Sequence, residues 1–211
     1  MRALVLALAA LALSATQSYA QETPPSRLQD SQALIERFEM SDIFTPIEDD
    51  ALGVRHTASG LVCHFFGAPT RVELLAFSGS TRGEDVGCLS NFEGKVLTLY
   101  ATRYAPAISA DEALQHGIAG IRHSFPDAQP MPATMTVATE GAPTPLVAHF
   151  LATRDGARWF TSVMVAESNG WIYKLRYSAP APEATPFMSH ELEAGAVFAL
   201  VLGELSHAPA Q

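Results

Sequence analysis

The side chains of this 211-residue chain whose types and spacing could carry chemistry are few: two cysteines, seven histidines and some short acidic runs. Cys63-His64 beside Cys88, with His56 nearby, supplies the donor types of a Cys2His2 zinc site. The spacing matches no standard zinc pattern, and neighbouring residues on a strand point to opposite faces, so Cys63 and His64 aim poorly at one metal. A structural disulfide between Cys63 and Cys88 is the better reading in an oxidising compartment. His56 with Ser59-Gly60 invites a hydrolase reading. The chain has no Gly-x-Ser-x-Gly elbow and no strand-to-helix setting for that serine, so Ser59 reads as a turn residue. Glu48-Asp49-Asp50 and Glu84-Asp85 lack the alternating spacing of a calcium loop and read as solvated turns. Glycine-rich phosphate loops and CxxC pairs are absent from the sequence. No catalytic residue, metal or cofactor is therefore expected. What remains is the stretch from Ser78 to Asp85, polar, Gly-rich and exposed by its composition; Arg82, Glu84 and Asp85 within it are the expected binding loop.

These residues sit in a chain with an address. Arg2, the apolar run Ala3 to Leu13 and Ser18-Tyr19-Ala20 before Gln21 are the ordered parts of a secretory signal peptide, with cleavage after Ala20. The expected protein is periplasmic or secreted and soluble. Losing Arg2 leaves 12 basic against 22 acidic residues, a net charge of −10. Only Lys95 and Lys174 are lysines, and the arginines are scattered, which excludes a basic nucleic-acid footprint. No later segment approaches the roughly 20 apolar residues that span a bilayer. With 48% hydrophobic and 17% charged residues the chain can bury a core.

The elements that must position the candidates follow from periodicity. Residues 21–30 read as a flexible arm, 31–206 as one domain and 207–211 as a loose tail. A short helix from Asp30 or Ser31 carries Leu34, Ile35 and Phe38, and 43–50 reads as a loop. Strands are expected at Leu61 to Phe66, Arg71 to Phe77, Val86 to Ser90 and Lys95 to Tyr104. Ser109 and Glu112 form a capping box for a helix whose inner face is Leu114, Ile118, Ile121 and Phe125, with His116, Gly117 and His123 elsewhere on its surface. Further strands are expected at Thr134 to Thr139, Leu146 to Thr153 and Trp159 to Glu167. An Asn169-Gly170 turn then leads into a last strand with Trp171, Tyr173, Leu175 and Tyr177 on one face. These aromatics, with Trp159, could line a ligand face, but a covered core is the preferred reading. His149 reads as a core or edge histidine. A final helix after Thr185-Pro186 should bury Met188, Leu192, Ala196, Ala199 and Leu202. The order gives an α+β fold, an antiparallel sheet with helices packed on it and one disulfide.

The order from Lys95 to Leu205, a strand, the capped helix ending in Phe125-Pro126, the meander to Ser178, a proline break and a last helix, resembles the PsbP-like fold. His56-Thr57-Ala58-Ser59-Gly60-Leu61-Val62-Cys63 with Gly83-Glu84-Asp85-Val86-Gly87-Cys88 looks like a signature of small, uncharacterised secreted bacterial proteins. The PsbP-like resemblance implies an accessory or binding role. The expectation is thus a non-enzymatic binding or accessory factor whose partner is an unknown protein or small ligand in the cell envelope. The alternative is a small periplasmic hydrolase whose site assembles only on folding.

Overall fold

In the computed structural model the described residues are 27–49, 51–66, 69–183 and 185–207. The expected signal peptide, residues 21–26 of the arm and the residues after 207 lie outside them; residues 27–30, expected in the arm, already belong to the first helix. Three hairpins organise the main sheet. Glu93-Gly94, Asp155-Gly156 and Asn169-Gly170 all hold positive φ at both turn positions, which matches the right-handed twist of the flanking strands. They join β5 (Asp85–Phe92) to β6 (Lys95–Thr102), β8 (Leu146–Arg154) to β9 (Ala157–Ser168), and β9 to β10 (Trp171–Pro180). With the edge strands β4 (Arg71–Ala76) and β7 (Gln129–Met131), these make an antiparallel seven-stranded sheet in the order β4-β5-β6-β10-β9-β8-β7. A second sheet, β1-β2-β3, is built from β1 (Phe44–Pro46), β2 (Leu52–His56) and β3 (Val62–Phe65). The fold is α+β, as the sequence implies, with helices α1 (Arg27–Arg37), α2 (Ala110–Ser124) and α3 (Phe187–His207).

Period-two alternation decides which side chains meet. Trp171, Tyr173, Leu175 and Tyr177 are buried together with Leu97, Leu99, Phe160 and Met164. This core also takes Phe44, Val54, Cys63 and Phe65 from the small sheet and Phe198, Val201 and Leu202 from α3. The aromatic row of β10 is therefore core. On the other face α2 packs over β8, β9 and β10, with Ala113, Ile121 and Phe125 against Phe150, Val163, Val165 and Ile172. Its capping box is formed as read, Ser109 Oγ accepting from the Glu112 amide and the Glu112 carboxylate accepting from the Ser109 amide.

Four readings need correction. Phe44–Pro46, expected within a loop, pairs with β2 as β1; a three-residue edge strand ending in proline leaves no alternation to read. Thr134 to Thr139 is not a strand: it runs along α3, where Thr139 Oγ1 donates to the Ala199 carbonyl (3.0 Å) and Thr134 Oγ1 to Glu191. Gly117 is not on the outer surface of α2 but at its closest approach to the sheet, where a Cβ would lie 2.6 Å from Val163 Cγ2. The helix α3 is rotated from the expected stripe. Met188 and Leu192 are 59% and 52% exposed, and Ala196 is exposed, while His190, Glu191, Ala194, Phe198, Val201, Leu202 and Leu205 face inward. From Ala194 on the helix is apolar nearly all round, so pattern alone does not fix its rotation. Polar partners on the sheet do. His149 Nδ1 meets Ser162 Oγ at 2.9 Å, with Nε2 3.9 Å from Glu191 Oε1. Tyr177 OH donates to Glu193 Oε2 (2.7 Å), whose other oxygen accepts from Lys95 Nζ (2.6 Å).

Cys63 on β3 and Cys88 on β5 form the disulfide, their Cα atoms 6.4 Å apart. The bridge joins the two sheets rather than two strands of one. Closing a loop of this size removes unfolded-chain entropy worth about 3–4 kcal/mol. The variant C63A/C88A should retain the fold and lose about that much stability, read as a lower denaturant midpoint with a slope no smaller than wild type's, because the uncrosslinked unfolded chain is more expanded; an unchanged midpoint would show that the bridge adds nothing.

Candidate functional site

Four loop ends converge beside the start of β10. Asp42 and Ile43 precede β1, His56 to Ala58 close β2, Thr81 to Glu84 precede β5, and Arg103 follows β6. With Trp171 they line a cleft of about 400 Å³, within the size range of small-ligand sites. The expected binding loop is thus divided. Arg82 and Glu84 are on the cleft wall, but Asp85 begins β5, pairs in register with Thr102 and accepts from Thr102 Oγ1 (2.8 Å) on the opposite side of the sheet. The strand pleat that starts at Asp85 separates it from its neighbours.

Arg82 is already engaged. Its Nε and Nη2 donate to the two Asp42 carboxylate oxygens at 2.6 and 2.8 Å, and Nη2 also donates to the Glu39 carbonyl at 3.0 Å. This bidentate pair clamps the loop to the turn before β1 and holds the Asp42 carboxyl below its ordinary range. Arg103 is different. Its guanidinium lies 4.5 Å from the centroid of the Trp171 ring, and among the described residues no carboxylate stands within 4.0 Å of it. Its backbone amide donates to the Glu84 carbonyl (2.7 Å), which ties the strand end to the loop. The sequence reading did not find Arg103. The only available signal was its position at the end of an alternating strand.

His56 sits on the inner row of the small sheet, in register with Phe44, and is wholly buried between Phe44 and Trp171. Burial takes its pKa down to about 4, with the Gly83 backbone acting in the opposite direction, so the ring is neutral near pH 7. Nε2 points towards Gly83 without reaching hydrogen-bond geometry. Nδ1 accepts from the Ser59 amide (3.2 Å) and lies 2.7 Å from Ser59 Oγ, which itself accepts from the Leu61 amide (3.1 Å). A neutral imidazole facing a serine hydroxyl is the start of a nucleophile–base pair. The third group is lacking among the described residues: no carboxylate pairs with His56, and Asp42 in the cleft is held by Arg82. The serine instead locks the β2–β3 turn, as the sequence reading prefers.

Other candidates are dispersed. His64, on the opposite face of β3 from Cys63, meets Glu204 Oε1 at 2.5 Å and Asp49 Oδ2 at 3.4 Å. His149 is a core histidine, 1% exposed. A second cleft of about 530 Å³ lies between α1 and β4, lined by Arg37, Arg71 and Glu73. Its cations are occupied: Arg71 pairs with Glu73 at 2.6 Å, and Arg37 donates to the Val72 carbonyl at 3.0 Å, covering the sheet edge.

No protein-family model and no curated protein matches the chain. The PsbP-like resemblance therefore rests on element order alone. Among solved structures, a protein of unknown function from Pseudomonas aeruginosa, PA94, aligns over 74% of this chain and 94% of its own, with 6% identity and a TM-score of 0.38. LpqN, involved in cell envelope biogenesis of Mycobacterium tuberculosis, aligns over 81% and 94% with 16% identity and a TM-score of 0.35.

Burial lowers the pKa of His149 and His190 as it does that of His56. The unfolded chain therefore binds these protons more readily than the folded one, and their contribution is complete above about pH 6.5 and lost as the pH falls through the folded values. The melting temperature should fall steadily from about pH 7 to about pH 4.5 at constant ionic strength, and H56Q should flatten part of that fall. A wild-type melting temperature that is level across the window would show that these rings titrate normally.

Proposed function

We propose that this protein is exported, matures at Gln21 and acts as a non-enzymatic binding factor in the cell envelope, using the cleft beside Trp171. Two features support export: the ordered signal-like N-terminus and a cross-sheet disulfide, which an oxidising compartment maintains. Among the described residues no helix is long and apolar enough to cross a membrane.

The observation that carries the binding reading is Arg103. A guanidinium laid over an indole at the mouth of a cleft, with no carboxylate within 4.0 Å, presents a flat cationic surface backed by a rigid aromatic. Asp42 and Arg82 neutralise each other, and Thr57 and Thr81 add hydroxyls at the wall. The complement is a partner segment that places a carboxylate on Arg103. Buried Trp171 and His56 keep the floor fixed, so little ordering is needed on binding. The hydrolase alternative rests on the His56–Ser59 pair and requires an orienting group that the cleft does not offer.

Affinity capture from envelope extract on immobilised mature protein tests this placement. R103E should fold with an unchanged circular dichroism spectrum and lose the captured partner, whereas R122A, on the exposed side of α2, should capture like wild type. Identical capture by R103E would refute the cleft. Ester hydrolysis abolished by S59A but retained in R103E would establish the hydrolase instead.

A further inference from the structure

The face of the sheet opposite the Trp171 row is covered only in part. The helix α2 packs over β8, β9 and β10, so the strands β4, β5 and β6 extend beyond it on that side. At the border of the covered part, register sets Lys174 of β10 opposite Tyr100 of β6, and Arg176 opposite Thr98. Lys174 Nζ lies 4.4 Å from the centroid of the Tyr100 ring, and Phe77, 40% exposed, stands 6.0 Å from that ring. The Arg176 guanidinium tucks against α2 at Gly120, where a Cβ would lie 3.1 Å from Nη1, and its buried Nε has no hydrogen-bond partner.

Two half-buried cations therefore stand two residues apart on one strand face, in a protein whose net charge is strongly negative. Among the described residues neither has a carboxylate within 4.0 Å, although the chain's other lysine, Lys95, pairs with Glu193 and Glu93. The acid whose charge acts on Lys174 is Asp85, which is engaged by Thr102. Burial pushes the Lys174 pKa down, Asp85 opposes that and the Arg176 charge adds to it. Holding two partly desolvated like charges together with one distant counter-charge costs free energy that an anion would offset.

We infer that Lys174 and Arg176 form a second binding site, for a small molecule that carries a phosphate or carboxylate on these two cations and lays an apolar or aromatic body along Tyr100 and Phe77. The two parts of the ligand follow from the two parts of the surface. A delocalised oxyanion can be held by the Lys174 and Arg176 charges together, drawing Lys174 Nζ off the Tyr100 ring, and Tyr100 with Phe77 then offers an apolar face where β5 and β6 extend beyond α2. The site is independent of the cleft beside Trp171, because successive residues of β10 point to opposite faces.

Calorimetric titration of the mature protein with inorganic phosphate and with phenyl phosphate, at fixed ionic strength, tests the inference. Phenyl phosphate should bind with a Kd of about 1 mM or tighter, and inorganic phosphate more weakly. K174M and R176M should each weaken both about tenfold or more, Y100A should weaken phenyl phosphate selectively, and D85N, which removes the competing carboxylate, should strengthen both. Each variant is taken only if its thermal unfolding remains cooperative, and R103E should bind as wild type does. No binding of either probe by wild type, or equal affinity in K174M and R176M, would overturn the inference. Binding confined to phosphatidylglycerol vesicles would overturn it as well, assigning the face to a membrane surface.

Discussion

The constraint on which the rest depends is the pleat of β10. This strand lies at the centre of the seven-stranded sheet, and its side chains alternate between Trp171, Tyr173, Leu175 and Tyr177 on one face and Ile172, Lys174 and Arg176 on the other. A shift of one residue in its pairing would put two cations into the main core and four large apolar side chains under α2 and into water. The register to β6 and β9 is thus enforced from both sides. With it are fixed the floor of the cleft, the seat of α2 and the partly open cationic face.

The main core is closed by three separate pieces, α3, α1 and the small sheet, none of which contributes a strand to the large sheet. The Cys63–Cys88 bridge ties the small sheet down, and Tyr173 OH adds a bond to the Ser59 carbonyl (2.6 Å) at the same junction. The cleft lies along that seam. Its walls come from the β2–β3 turn on one side and the loop before β5 on the other, with Arg82 and Asp42 holding the loop to the turn before β1. The bridge and the clamp thereby set the width of a site to which neither adds a free functional group.

Much of this architecture was legible because its signals are local. The Asn169-Gly170, Asp155-Gly156 and Glu93-Gly94 turns, the Ser109 capping box and the aromatic alternation of β10 are each determined within a few residues. What escaped depends on tertiary partners. Thr134 to Thr139 has strand composition but finds its bonds on α3, and α3 is rotated by buried His190 and Glu191 and half-buried Glu193, whose partners are distant in sequence. Arg103 acquires significance only through Trp171, 68 positions away along the sequence.

Proximity in sequence proved a poor guide to the site in one instructive place. Glu84 and Asp85 are consecutive, yet one lines the cleft and the other faces Thr102 on the opposite side of the sheet. The boundary between loop and strand falls between them, and at such a boundary the next side chain is committed to the pleat. The same applies at the other strand: Trp171 forms the cleft floor while Ile172 packs beneath α2. Replacing Arg82, Glu84 and Asp85 together would therefore perturb three different things, a clamp, a wall and a carboxylate near Lys174. Single substitutions on each face keep them apart, because the sheet that joins the two surfaces also separates them by its full thickness.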